Sequence, residues 1–283
     1  MHSVLSSFSR RVALSAFLCF CFMPVLPSPA LAKGAEMLLV PTRVVMEKGA
    51  RYTTVTIKNS GDATGRYRIE LIDASMGEDG GVKLREDGSR DPFSAKDYLS
   101  LSPRSMTLKP DQFQTVRLLF KKPADLADGE YRTHLKVKMV ENDVDAKDGP
   151  SDPKAASIAI KPKLVMVIPV IVRQGETSYR VSIEDAGIEG SGKNARLNMT
   201  LGLEGNRSIV GDAKVIHVDA GGKESLLKFF PGIAIYRGTA KRRVAINLET
   251  PDGVNIHSGT IKIALLSQEK EGGEVMAQKE IKP

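Results

Sequence analysis

Residues 51–73 read RYTTVTIKNSGDATGRYRIELID, two runs of alternating apolar and polar side chains on either side of Asn59-Ser60-Gly61-Asp62. A period of two puts every second side chain on one face, which is the geometry of a half-buried strand, and a cluster of Asn, Ser, Gly and Asp between two such runs is turn chemistry. The stretch therefore predicts strands over 52–58 and 66–73 joined by a turn. Working outward, the same pattern recurs over 38–46, 104–108, 113–120, 131–140 and 158–173. A second set follows over 180–183, 196–203, 213–218, 224–229, 241–248 and 259–266. Long helical periodicity is hard to find, so the chain reads as all-β.

About seven short strands punctuated by turns suit an immunoglobulin-like sandwich, and two such sets predict two sandwiches in series. The boundary falls at Arg173-Gln174-Gly175, where a long apolar run ends in a polar, glycine-containing joint. That gives domains 33–173 and 174–283, with a joint short enough to hold them at an angle and create a cleft. Residues 141–156, ENDVDAKDGPSDPKAA, are charged and nearly free of large apolar side chains, and are expected to form a mobile loop. The polar tail, 269–283, is expected to fray.

The first 32 residues have the form of an export signal: Arg10 and Arg11, an apolar run over 12–26, and Ala30-Leu31-Ala32 as a cleavage site. Pro24, Pro27 and Pro29 interrupt the run, which falls short of the roughly 20 apolar residues a membrane span needs. Removal of 1–32 takes both cysteines, Cys19 and Cys21, and lowers the formal charge from +7 to +5. The remaining 251 residues then offer no disulfide, no cysteine zinc site and no thiol nucleophile. The four histidines, His2, His134, His217 and His257, show neither HxH nor HExxH spacing, which argues against a bound metal. The basic residues are interspersed with acids and lack an aromatic-interleaved stripe, so nucleic acid is not an expected partner. No GxSxG, Walker or CxxC motif is present in the mature stretch, and neither an enzyme nor a cofactor is expected.

Several segments occur in one order: Leu39-Val40-Pro41-Thr42-Arg43-Val44-Val45, Val55-Thr56-Ile57-Lys58-Asn59, Leu108-Lys109-Pro110 before Val116-Arg117-Leu118, Gly129-Glu130-Tyr131-Arg132, and Val170-Ile171-Val172-Arg173. In order and spacing this set resembles the periplasmic chaperones of chaperone–usher pilus assembly, and the charged loop and the GEYRTHL segment, 129–135, look more like the divergent or archaic branches. The second domain, through Ile233-Ala234-Ile235-Tyr236 and Arg242-Arg243-Val244, matches more loosely. The resemblance implies a boomerang of two immunoglobulin-like domains in the periplasm. It also implies that incomplete pilus or fimbrial subunits are capped by donor-strand complementation and passed to an outer-membrane usher. The physics is general: a sandwich lacking a strand exposes an apolar groove and unpaired backbone, and a strand from a partner supplies both.

On this resemblance the lending strand is 158–173. Ile158, Ile160, Leu164, Met166 and Ile168 share one face, and Lys161, Lys163, Val165, Val167 and Pro169 the other. Ile160, Leu164, Met166 and Ile168 are the expected donor side chains. Apolar runs cannot be oriented from sequence alone, so burial of the strand on both faces within its own sandwich stays open. Pro162 cannot donate to a ladder, which favours an edge strand. The family holds the subunit's terminal carboxylate between an arginine and a lysine; Arg43 takes the first position, Pro169 occupies the site matching the second, and of the nearest basic residues, Lys161 and Lys163, Lys163 is the candidate. A guanidinium suits the task through its planar pair of donors. Arg173 and Glu130 match a pair that fixes the angle between the domains. After signal cleavage no membrane insertion is expected, and an exposed apolar edge admits a self-capping dimer. Two further readings remain: a secreted structural or adhesive two-domain protein without chaperone activity, and an exported enzyme with a carboxylate pair in the cleft.

Overall fold

The computed structural model describes residues 36–140, 164–268 and 273–283. The expected signal segment 1–32, the whole of the charged stretch 141–156, and Ile160 and Lys163 lie outside the described residues.

The regular structure of the described chain is almost all strand, as the period-two pattern predicts. Its first part contains β1 (Leu38–Val40), β2 (Val44–Met46), β3 (Tyr52–Lys58), β4 (Gly65–Ile72), β5 (Ala74–Met76), β6 (Val82–Leu84), β7 (Leu99–Ser102), β8 (Ser105–Leu108), β9 (Phe113–Phe120), β10 (Gly129–Val140) and β11 (Val165–Gln174). These pair as a four-stranded sheet β1-β3-β9-β7, a five-stranded sheet β2-β11-β10-β4-β8, and a separate β5-β6 hairpin. The two larger sheets share one core in which alternate residues meet: Val55 and Ile57, Tyr67 and Ile69, Val116 and Leu118, Leu135 and Val137. Asn59 closes the turn found in the sequence, its amide donating to Ala63 and Leu108 carbonyls while its side-chain oxygen accepts from Gly61 N–H.

One expectation needs correction here. Residues 38–46 are not a single strand: the chain leaves the first sheet after Val40, crosses over 41–43, and joins the second sheet as β2, parallel to β11. The crossing lets one segment cover edges of both sheets, and it sets Arg43 at the rim between them.

The second part contains β12 (Tyr179–Glu189), β13 (Arg196–Gly205), β14 (Ile209–Val218), β15 (Glu224–Ile235), β16 (Lys241–Asn247), β17 (Thr260–Ser267) and β18 (Val275–Ile281). They form sheets β12-β13-β16 and β15-β14-β17-β18 around a second core that includes Leu197, Leu201, Val215, Ile235, Ile246 and Ile263. The tail does not fray over 275–281. Strand β18 pairs with β17, and Met276, Ala277 and Ile281 cover the second core. Between the two parts, Gly175 sits at φ +62°, and an added Cβ would come 1.5 Å from Asp128 Oδ1, so the joint accepts only glycine without rearrangement.

Candidate functional site

Strand β11 is held on one side by β10 along its whole length, from Lys138↔Val165 to Gly129↔Gln174. On its other side β2 reaches only Val170, Ile171 and Val172. Residues 165–169 therefore border no strand among the described residues, and they form an open edge. Which backbone groups face it follows from one bond: Met139 N–H donates to the Leu164 carbonyl at 3.0 Å, which makes 139/164 a bonded pair. In an antiparallel ladder bonded and non-bonded pairs alternate, so Met166 and Ile168 also aim their backbone groups at β10. Val165, Val167 and Pro169 aim theirs outward. The edge thus presents two N–H donors and three carbonyls, and the proline falls at an outward position where no ladder bond is lost.

Side chains alternate at right angles to this. Ile168 is 4% exposed inside the first core, with Leu164 and Met166 half-buried against it. Ile168, expected from sequence as a donor side chain, is thus committed to the core of its own sandwich. Leu164 and Met166 lie at the core margin. The opposite face carries Val165, Val167 and Pro169, with Val165 40% exposed. The apolar character of both faces is real, and each has a separate cause.

That opposite face continues across β10 as a buried polar cluster. Arg173 Nε lies 3.4 Å from Glu130 Oε2 and Arg173 Nη1 lies 2.5 Å from Glu47 Oε1. Sequence reasoning named the first pair and missed Glu47. The element that reaches from the second part is a cation: Arg237 Nη1 donates to the Glu130 carbonyl at 2.8 Å, with its guanidinium 3.9 Å over the Phe93 ring. Arg132 stacks 3.8 Å over the Tyr236 ring, donates to Ser208 Oγ at 3.4 Å and lies 3.8 Å from Asp91. His134, paired across the ladder with Pro169, is 2% exposed and tilted against Tyr236 at 6.1 Å. Neither of its ring nitrogens, nor Glu130 Oε1, has a hydrogen-bond partner among the described residues. Burial, aided by the Arg132 charge and opposed by Asp73, pushes the His134 imidazole down to about 4.

Arg43 is half-buried and lies within electrostatic reach of the same aromatic residue. Burial raises the Tyr236 hydroxyl pKa, while the charges of Arg132 and Arg43 pull it down. The structure thus gathers Arg43, Arg132, His134 and Tyr236 near Pro169, the point where a second cation was sought. Tyr236 and Arg237 follow β15, and Arg132 stands in a motif quoted above, yet no spacing in the sequence marked them as neighbours of Arg43. No group of three or more His, Cys, Asp or Glu side chains that could hold a metal ion occurs among the described residues. No helix among them is long and apolar enough to cross a membrane.

No protein-family model matches the chain, and no curated protein matches it in sequence. Solved structures do align with it over most of its length. A chaperone–tip adhesin complex of CFA/I fimbriae biogenesis is 13% identical, covering 88% of this chain and 100% of that one at a TM-score of 0.47. The E. coli chaperone DraB is 17% identical over 88% and 97% of the two chains, at 0.45. The CsuC–CsuE pre-assembly complex of archaic Csu pili from Acinetobacter baumannii is 13% identical over 87% and 97%, at 0.45.

Proposed function

We propose that the protein is a periplasmic chaperone of pilus assembly that caps incomplete subunits by lending them the open edge of β11. The observation that carries this reading is the edge itself. Residues 165–169 offer outward backbone donors and acceptors beside apolar side chains, and Arg43 immediately precedes β2, where that open stretch stops. A subunit lacking one strand needs that complement, and main-chain bonds with side chains at alternate positions are how strand addition achieves affinity and register. The ordered motif set of the sequence supports the same reading.

In this mechanism the first domain, 33–173, binds the subunit, and Leu164 and Met166, with Ile160, enter its groove at the margin where the two cores would merge. Arg43 receives the subunit's terminal carboxylate. The cluster of Glu130, Arg173 and Arg237 holds the second domain, 174–283, across the cleft, although the net stability of such buried pairs is small because both charges lose water. No covalent chemistry is required. The signal segment delivers the chain to the periplasm, and the capped subunit passes to an outer-membrane usher.

Affinity purification of the tagged protein from the periplasm of its native host, beside Arg43→Ala, tests this reading. A β-rich exported protein recovered at equal stoichiometry with the wild type and lost with Arg43→Ala is the expected result. Recovery of no such protein while fibre genes are expressed overturns it.

A further inference from the structure

A second surface lies on the first sandwich at the far end of β4. The chain passes from β7 in one sheet to β8 in the other over 103–104, so β8 pairs with β4 only over Gly65–Arg68. This leaves a notch of about 510 Å³ whose walls include Arg66, Arg68, Arg104 and Ser105. A second concavity of about 280 Å³ continues from it, sharing Arg104 and adding Lys96. Lys138, opposite Arg68 in the ladder, is exposed on the same sheet face.

These five cations form no ion pair among the described residues. Two acids share these walls: Glu70, which lies 3.3 Å from a Lys136 that it shares with Glu86, and Asp97, which pairs with Arg90, so the five cations outnumber them. The notch also has a backbone edge. Ile69 N–H donates to the Arg104 carbonyl at 2.9 Å, so odd-numbered residues of β4 aim their backbone toward β8. Leu71 lies beyond the last β8 pair, and its N–H and C=O therefore face an edge with no strand beside it among the described residues.

We propose that this notch docks an extended acidic segment of a partner protein, with carboxylates at alternate residues. Arg66 and Arg68 stand two residues apart on one face of a strand, a spacing of about 6.6 Å that an acid-x-acid strand repeats. Guanidinium groups hold carboxylates through two parallel hydrogen bonds. The open backbone at Leu71 distinguishes a polypeptide from an anionic lipid surface, which has no strand to pair. The proposal is independent of subunit capping, since the notch is separated from the open edge of β11 by strand β10.

The test uses the full-length mature chain and a fluorescein-labelled decapeptide of alternating glutamate and threonine, read by fluorescence anisotropy. The wild type is expected to bind at low ionic strength, with affinity falling at least tenfold in 0.5 M salt as ion pairing is screened. Arg66→Glu/Arg68→Glu is expected to weaken binding at least tenfold, while Lys214→Glu/Lys223→Glu, with the same change in net charge elsewhere, leaves it unchanged. Circular dichroism checks that both variants keep the sheet signal. Equal loss in the two double variants, or no binding by the wild type, overturns the proposal. It is also overturned if phosphatidylglycerol vesicles bind in place of the peptide. Peptide binding only after Glu141, Asp143 and Asp145 are neutralised would give the notch to the chain's own acidic stretch and reject the proposal equally.

Discussion

Replacing Val167 by proline separates the edge reading from simple strand burial. Val167 aims its N–H away from β10, so the substitution removes no bond of the domain's own ladder. Pro169 already occupies the next outward position. The expected loss of stability is less than about 1 kcal/mol, because the remaining cost is only the restriction of φ. Met166→Pro and Ile168→Pro differ sharply. Each deletes an N–H that faces β10 and leaves a buried carbonyl of Val137 or Leu135 without a donor, at about 1–3 kcal/mol. In a chain of this size that lowers Tm by about 3–10 °C, against less than about 3 °C for Val167→Pro. Binding should show the reverse order of interest. Val167→Pro removes one of two outward donors and strands a carbonyl of the captured segment, so affinity for a co-purified subunit falls about 5- to 150-fold. Melts followed by circular dichroism and titration calorimetry with that subunit measure both. Equal destabilisation by all three prolines would show that the ladder parity is wrong. A stable Val167→Pro that binds as tightly as wild type would refute the use of this edge.

Two further outcomes follow from the buried cluster. Arg237→Ala loses the bond to the Glu130 carbonyl and the stacking on Phe93. It should cost about 2 kcal/mol and raise the rate of limited proteolysis over 174–178, where an unchanged cleavage rate would count against the cluster as a brace. For His134, the folded value of about 4 lies below the usual 6.5, so between those values the unfolded chain binds a proton that the folded chain does not. Stability therefore falls as pH drops from about 6.5 to about 4 and then levels, by at most about 3 kcal/mol. The groups facing the ring are Arg132, Asp73 and Tyr236. Urea midpoints at pH 7.0 and pH 4.5 should differ less for His134→Gln than for wild type, and parallel shifts in the two proteins would show that the proton binds elsewhere.

The strands that announced themselves in the sequence were those with one wet and one dry face. Tyr52–Lys58 and Phe113–Phe120 have the predicted limits, since a period of two is a local property. Strand β18 was missed for the opposite reason. Gln278-Lys279-Glu280 in succession break its alternation, and what makes it a strand is the vacant edge of β17, which no local pattern encodes. The short β5 and β6 were missed likewise, as a hairpin of three-residue strands barely completes one alternation. The break in 38–46 had a single local sign, Pro41, whose meaning depends on the two sheets being present for the chain to cross.

The site divides along the same line. The Glu130–Arg173 pair was legible because both residues stand within ordered motifs, and their pairing is a matter of register between neighbouring strands. The orientation of 164–168 was not legible, because both faces are apolar: one closes the first core, and the other carries Val165, Val167 and Pro169. Arg237 and Tyr236 come from beyond the joint and meet the cluster only once the two parts are together. An open edge is the extreme case, since it is defined by the neighbour a strand does not have. The sequence could supply the length, the apolar content and a proline compatible with an edge. It took the three-residue reach of β2 to show where the edge begins, and the bond from Met139 to Leu164 to show which atoms it offers.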